Sequence, residues 1–182
     1  MHRKYDHPYM ENDIRLRYGR ARTGIHEGTA ITVLHIGEEQ TAVATGNSSE
    51  PNVVLLLAIG SKKTAADFFK HTPPTPGELE HAIMVVEDEV TRLRQITATA
   101  SRLVTSDAAI RAIALVAGGP GQPELILTLD AVERTFDLLA ALALGRPASS
   151  AGIPANAAFA ATLLILREFM HHLQFASVTV TS

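Results

Sequence analysis

Three β-prone runs follow one another between Ala30 and Ile59, with no helix-length segment between them. Ala30–Ile36 (AITVLHI) is rich in β-branched residues and stops at Gly37. Gln40–Thr45 (QTAVAT) ends at Gly46-Asn47, a hairpin-type break. Val53–Ile59 (VVLLLAI) is a continuous apolar run between Pro51-Asn52 and Gly60-Ser61, the pattern of a strand covered on both faces. A chain that opens its body with three strands in series must then supply helices to cover them.

The helices follow. Ser61 begins one that reaches about Lys70, with Ala65, Phe68 and Phe69 on its apolar side. Beyond the stiff segment at Pro73-Pro74, Thr75 is an N-cap candidate, Pro76 suits a first helical turn, and Glu78 stands three residues after Thr75. Leu79, Ala82, Ile83, Val86, Val90 and Leu93 then recur near 3.6 residues, and the acids among them form a solvated face. Ala98–Val104 fits neither period. Ile110–Val116 (IRAIALV) reads as a further buried strand, halted at Gly118-Gly119. Thr128 caps a helix over Leu129 to about Leu144, a third long helix runs from about Ala155 to Leu173, and Phe175–Thr181 alternates as a closing strand. The order predicts an α/β fold, a mixed five-stranded sheet with flanking helices.

Composition narrows the classes. With 182 residues, 46% hydrophobic and 19% charged, the chain can bury a real core and is neither disordered nor fibrous. It has no cysteine, which removes disulfides, thiolate nucleophiles and Cys-ligated metals. No apolar stretch matches a signal peptide or a bilayer span, so a cytoplasmic protein is expected. Charge is uneven. Residues 1–28 carry Arg3, Lys4, Arg15, Arg17, Arg20 and Arg22 against four acids, on a body of net negative charge. This divides the chain into an N-terminal basic arm or helix over residues 1–28 and a single lobe over 29–182. The arm suggests a nucleic-acid-binding module as one alternative, although no interleaved aromatics support it; a solvated or docking helix is the simpler reading, and no nucleic acid and no membrane partner are expected.

Several segments, taken in order, resemble one family. They are ENDIRLRYG (Glu11–Gly19), ITVLHIGEEQTA (Ile31–Ala42), Phe68-Phe69, PPTPGEL (Pro73–Leu79), ALVAGGP (Ala114–Pro120), LTLDAVERTFDLLAAL, and GIPANAAF with the helix and strand after it. Together they are similar to the exopolyphosphatase/guanosine pentaphosphate phosphatase (Ppx/GppA) family. The resemblance implies one lobe of the actin-like (ribonuclease H-like) ATPase fold, the second of that family's catalytic module. It also implies a glycine loop whose backbone N–H groups approach a phosphate chain, here at Gly37 and Thr41. A second phosphate turn falls at Gly118 and Gly119, and a residual general base at Glu11 or Asp13. If the chain is active, the resemblance implies Mg2+ and phosphoanhydride hydrolysis of polyphosphate or guanosine pentaphosphate.

The loop departs from the family at the decisive places. His35 stands at the expected Asp, Glu38 and Glu39 at two glycines, Gln40 at the Ser and Ala42 at the final Glu. A carboxylate about 4 Å from a phosphate charge is disfavoured by roughly 4 kcal/mol at an effective dielectric near 20, about a thousandfold in binding. The expectation is therefore a catalytically impaired domain acting by phosphate-ligand binding or protein association. A homodimer, or a complex with a separate first-lobe partner, would cover the face such a lobe exposes; the ligand would be a polyphosphate or guanosine polyphosphate. An active phosphohydrolase with an atypical loop is the alternative. No metal site is expected from the residues themselves, since the adjacent His171 and His172 diverge by about 100° on a helix.

Overall fold

The computed structural model describes residues 6–96 and 100–182. Its elements run α1 (Asp6–Arg22), β1 (Ile31–Ile36), β2 (Thr41–Gly46), β3 (Val53–Leu57), α2 (Ser61–Phe68), α3 (Pro76–Thr91), β4 (Arg102–Thr105), α4 (Ala108–Val116), β5 (Leu125–Thr128), α5 (Leu129–Ala143), α6 (Ala148–Ala151), α7 (Ala157–His172) and β6 (Ser177–Val180). Among the arm residues, Arg3 and Lys4 fall outside the described part, as do the first two residues, 98 and 99, of the segment that fitted neither period.

The strands form one mixed sheet in the order β3-β2-β1-β4-β6-β5. The opening runs pair as an antiparallel meander, with Val33 opposite Ala44 and Val43 opposite Leu55. β4 joins β1 in parallel and β6 joins β4 in parallel, while β5 closes the edge antiparallel to β6. The expected α/β class with flanking helices is present, with six strands instead of five.

Three local differences account for that count. Ile110–Val116 is helical, within α4, and not a strand. Ile110, Ile113 and Ala114 are buried while Leu115 is 47% exposed, so the burial follows the helical period that a short apolar run conceals. The strands the sequence did not reveal are β4, inside the uncertain segment, and β5, whose buried Leu125 and Leu127 alternate with exposed Ile126 and Thr128. β5 runs straight into the Thr128 cap of α5, which hides it behind a helix signal. β3 is covered on both faces as expected but lies at a sheet edge, where its residues are half-buried.

Alternation along the strands sends two residue sets to opposite faces. Leu34, Ile36, Val43, Leu57, Leu103, Val178 and Val180 enter the larger core with the helices α2, α3, α4, α5 and α7. α7 is its centre, apolar around most of its girth and packed against the other four helices. On the opposite face, Ile31, Val33, Ala42 and Ala44 meet Ile14 and Tyr18 of α1. The small alanines of β2 let α1 lie close, and the buried Tyr18 hydroxyl donates to Ser48 O at 3.0 Å. Gly46 leaves the room this needs, since a Cβ there would lie 2.8 Å from the Tyr18 oxygen.

The α3 entry has a full capping box: Thr75 accepts from the Glu78 amide, and Glu78 accepts from the Thr75 amide. That backbone bond, followed by the bond from His71, holds the Glu78 carboxyl at about 2, below its ordinary 4.5. Because the folded value is the lower one, Glu78 adds stability above pH 4.5 that disappears as the pH falls toward 2. Acid titration of unfolding should therefore be shallower in Glu78→Gln across that window. Thr75→Ala should cost about 1 kcal/mol by urea denaturation, and Tyr18→Ala about 3–5 kcal/mol, by loss of a buried aromatic.

Candidate functional site

The parallel strands β1 and β4 end side by side, and α1 crosses the sheet above them. This brings Asp13 and Arg17 of α1, His35 of β1, and Ser106-Asp107 of the β4–α4 connection to one place. Asp107 stands at the N-cap position of α4 but makes no cap hydrogen bond. Its side chain, 4% exposed, turns toward β1 instead. Oδ2 accepts the Ile36 amide at 2.7 Å; Oδ1 accepts His35 Nδ1–H at 2.6 Å and an Arg17 N–H at 3.2 Å. The burial of this carboxylate is thereby met with donors on both oxygens.

Arg17 bridges the cluster. Its Nε donates to Asp13 at 2.6 Å, across one helical turn, and its Nη1 donates to both Asp107 and Ser106 Oγ. With Nδ1 committed to Asp107, His35 turns Nε2 toward Asp13, 4.0 Å from Oδ2. A carboxylate-oriented imidazole with a second carboxylate beyond it can hold and pass a proton. The same arrangement does not suit Mg2+. That ion takes carboxylate oxygens and water, but Asp107 and Asp13 are already engaged by a guanidinium, and Asp107 also by an imidazole and an amide. No group of three or more His, Asp or Glu among the described residues could hold a metal.

The turn beside this cluster, Gly37–Gln40, is tied down from within. The Gly37 amide donates to Gln40 O. The first three amides of α2, on Ser61, Lys62 and Lys63, donate to the carbonyls of Gly37 and Glu38. These are the donors a helix N-terminus would offer an anion, and here they hold the turn. Gly60 permits the contact, since a Cβ there would come within 2.5 Å of Glu38 O. Thr41 is fully buried, with its hydroxyl donating to Ile59 O at 2.8 Å. The exposed Glu38 pairs with Lys62 at 2.7 Å.

The remaining sequence candidates lie elsewhere. Gly118 and Gly119 follow the C-terminus of α4, about 14 Å of helix from Asp107 at 1.5 Å per residue. Their amides close that terminus on Leu115 O and Ala114 O, with Gly118 at φ 91°. A helix C-terminus presents carbonyls, the wrong polarity for phosphate. Glu11 is exposed near the start of α1, on the side of Ile14 and Tyr18 but one to two turns before them. The structure therefore gathers Asp13, His35 and Gly37, and adds Arg17, Ser106 and Asp107, which sequence reasoning had not grouped with them. The i, i+4 spacing of Asp13 and Arg17 was the available signal for one pair; nothing in the sequence pointed Asp107 at β1.

Asp107→Ala would leave the Ile36 amide, the His35 N–H and the Arg17 guanidinium facing one void. Stability should fall by about 3 kcal/mol, as for a broken buried pair. In a double-mutant cycle by chemical denaturation, Asp107→Ala and Arg17→Ala should be non-additive by about 1 kcal/mol.

No protein-family model matches the chain, and no curated protein sequence matches it. Solved structures do. A Ppx/GppA family member from Aquifex aeolicus superposes with a TM-score of 0.75 at 18% identity, over 94% of this chain and 58% of that one. An exopolyphosphatase from Cytophaga hutchinsonii gives 0.72 at 16% identity, over 96% and 59%. A type II variant of the Aquifex aeolicus Ppx/GppA phosphatase gives 0.72 at 19% identity, over 93% and 59%. The chain spans less than two thirds of the length of each, and the likeness is one of fold: this chain has the α/β fold of the second-lobe-sized part of Ppx/GppA phosphatases.

Proposed function

We propose that the chain is a catalytically impaired Ppx/GppA phosphatase-like domain, acting by binding a phosphate-bearing ligand or another protein. The observation that carries this reading is the Gly37–Gln40 turn. Its carbonyls occupy the α2 amides, its Thr41 hydroxyl is buried, and Glu38 and Glu39 surround it with negative charge. Opening it for phosphate would sacrifice the three amide bonds from α2, before the electrostatic cost of the glutamates is met. Association is supported by α1, where Leu16 is 63% and Tyr9 74% exposed, seven residues apart on one outward stripe. The second copy or separate lobe that would cover them belongs to the same proposal. No helix among the described residues is long and apolar enough to cross a membrane. Nucleic-acid binding by the arm is less favoured, because Arg17 and Arg22 are engaged by the chain's own acceptors.

A second reading, an active phosphoanhydride hydrolase, is favoured by one feature: His35 Nε2 and Asp13 face each other beside the turn, so either could accept a proton from water. Phosphate release from polyphosphate and guanosine pentaphosphate separates the two. The first reading expects no release above background from the purified chain, with or without Mg2+. Release abolished by Asp13→Asn or His35→Gln would establish the second. Light scattering at micromolar concentration should give a dimer; a monomer would leave ligand binding as the remaining branch.

A further inference from the structure

The sheet ends on two edge strands, β3 and β5, and the chain treats them differently. Pro51 precedes β3, and just past its end the Ala58 amide donates to the Glu89 carboxylate of α3 at 3.1 Å. An amide already bonded to a side chain is lost to an incoming strand. β5 has no such guard among the described residues. The Leu129 amide donates to Ala176 O at 2.9 Å, which continues the register that sets Leu127 opposite Val178 and Leu125 opposite Val180. Alternation of an antiparallel ladder then assigns the backbone groups of Leu125 and Leu127 to β6. The Ile126 N–H and C=O and the Thr128 N–H therefore point away from the sheet, along its open edge. The Leu125 and Leu127 side chains are buried against the helical layer, while Ile126, on the other face, is 66% exposed.

We infer that a second copy of this chain docks on the β5 edge, strand to strand and antiparallel, with the twofold axis at Ile126. An edge of this kind is self-complementary. In that register the Ile126 N–H of each copy donates to the Ile126 C=O of the other, and the two exposed isoleucine side chains meet on one face. Thr128 falls opposite Glu124 of the second copy. Thr128 Oγ1 accepts the Ala131 amide at 3.2 Å, so its O–H remains to donate, and the carboxylate opposite is a matching acceptor. A foreign strand would satisfy the backbone, but only this chain's own sequence sets an acceptor against Thr128 and an apolar side chain against Ile126. The inference rests on the association branch of the proposed function and names its surface, which is distinct from the Tyr9–Leu16 stripe of α1.

The test combines sedimentation and light scattering of the whole chain with amide hydrogen exchange, across concentrations from about 1 μM to about 1 mM. Leu125 and Leu127 amides should be protected at every concentration, because β6 holds them. Ile126 and Thr128 amides should slow by roughly tenfold as the dimer fills. Ile126→Lys, which sets two like charges opposite each other, should raise the dimer dissociation constant by roughly tenfold or more. Its monomer should melt almost unchanged, since the side chain is exposed. Ile126→Pro should act likewise, because it removes an outward N–H and leaves the β6 ladder intact. Leu16→Glu should leave the dimer as it is. A dimer that survives both Ile126 variants would overturn the edge and leave association standing. So would a dimer lost in Leu16→Glu while Ile126 and Thr128 exchange freely. A chain that stays monomeric throughout would overturn the edge and the association branch together.

Discussion

The Asp107 carboxylate is the interaction on which the functional end of the molecule depends. Strand β1, helix α1 and the β4–α4 connection come from distant parts of the chain; β1 presents the His35 imidazole and the Ile36 amide, α1 presents the Arg17 guanidinium, and the connection brings the carboxylate. One buried carboxylate satisfies all three. Its desolvation would be costly without those donors, and their own burial would be costly without it. This mutual requirement holds the imidazole of His35 in one orientation and keeps Arg17 over the strand ends. Asp107 leaves its own helix uncapped by its side chain as a consequence, so a favourable local bond has been exchanged for a long-range one.

The apolar framework supplies the setting for that exchange. α7 threads through the centre of the helical layer, and the two residue sets of each strand bury against different partners. α1 can lie on the second face because β2 offers Ala42 and Ala44 there and Gly46 admits Tyr18. On the half that α1 does not reach, Arg102, Val104, Thr179 and Ile126 share one face.

The turn between β1 and β2 illustrates how the same fold can alter its chemistry. A glycine-lined turn keeps its amides accessible. Here Glu38 and Glu39 stand in the turn, Lys62 pairs with Glu38, and the α2 N-terminus closes on the turn carbonyls. The glycines that matter sterically are Gly37 and Gly60, because each lets two backbone segments approach more closely than a Cβ would allow. Their role in this chain is packing, which is physically distinct from leaving space for a ligand.

Local signals were legible wherever one segment decided its own conformation. The three opening strands, the Thr75 capping box, the Thr128 cap and the long apolar α7 all follow from short-range pattern and cap chemistry. The Ile110–Val116 segment was not, because a run of apolar residues suits a strand or a helix until neighbours select which positions are buried. Asp13, Gly37, Thr41, Gly118 and Gly119 could be named as candidates from the sequence, but the amides of the three glycines and the Thr41 hydroxyl have acceptors within the fold. The amino-acid sequence by itself determined most element types, the mixed-sheet class and the two carboxylates of the turn. Only the tertiary structure decided that Asp107 serves β1 and not its own helix, and that α2 seals the turn. Those outcomes rest on contacts between residues far apart in the chain, whose strength depends on burial and direction that no local pattern encodes.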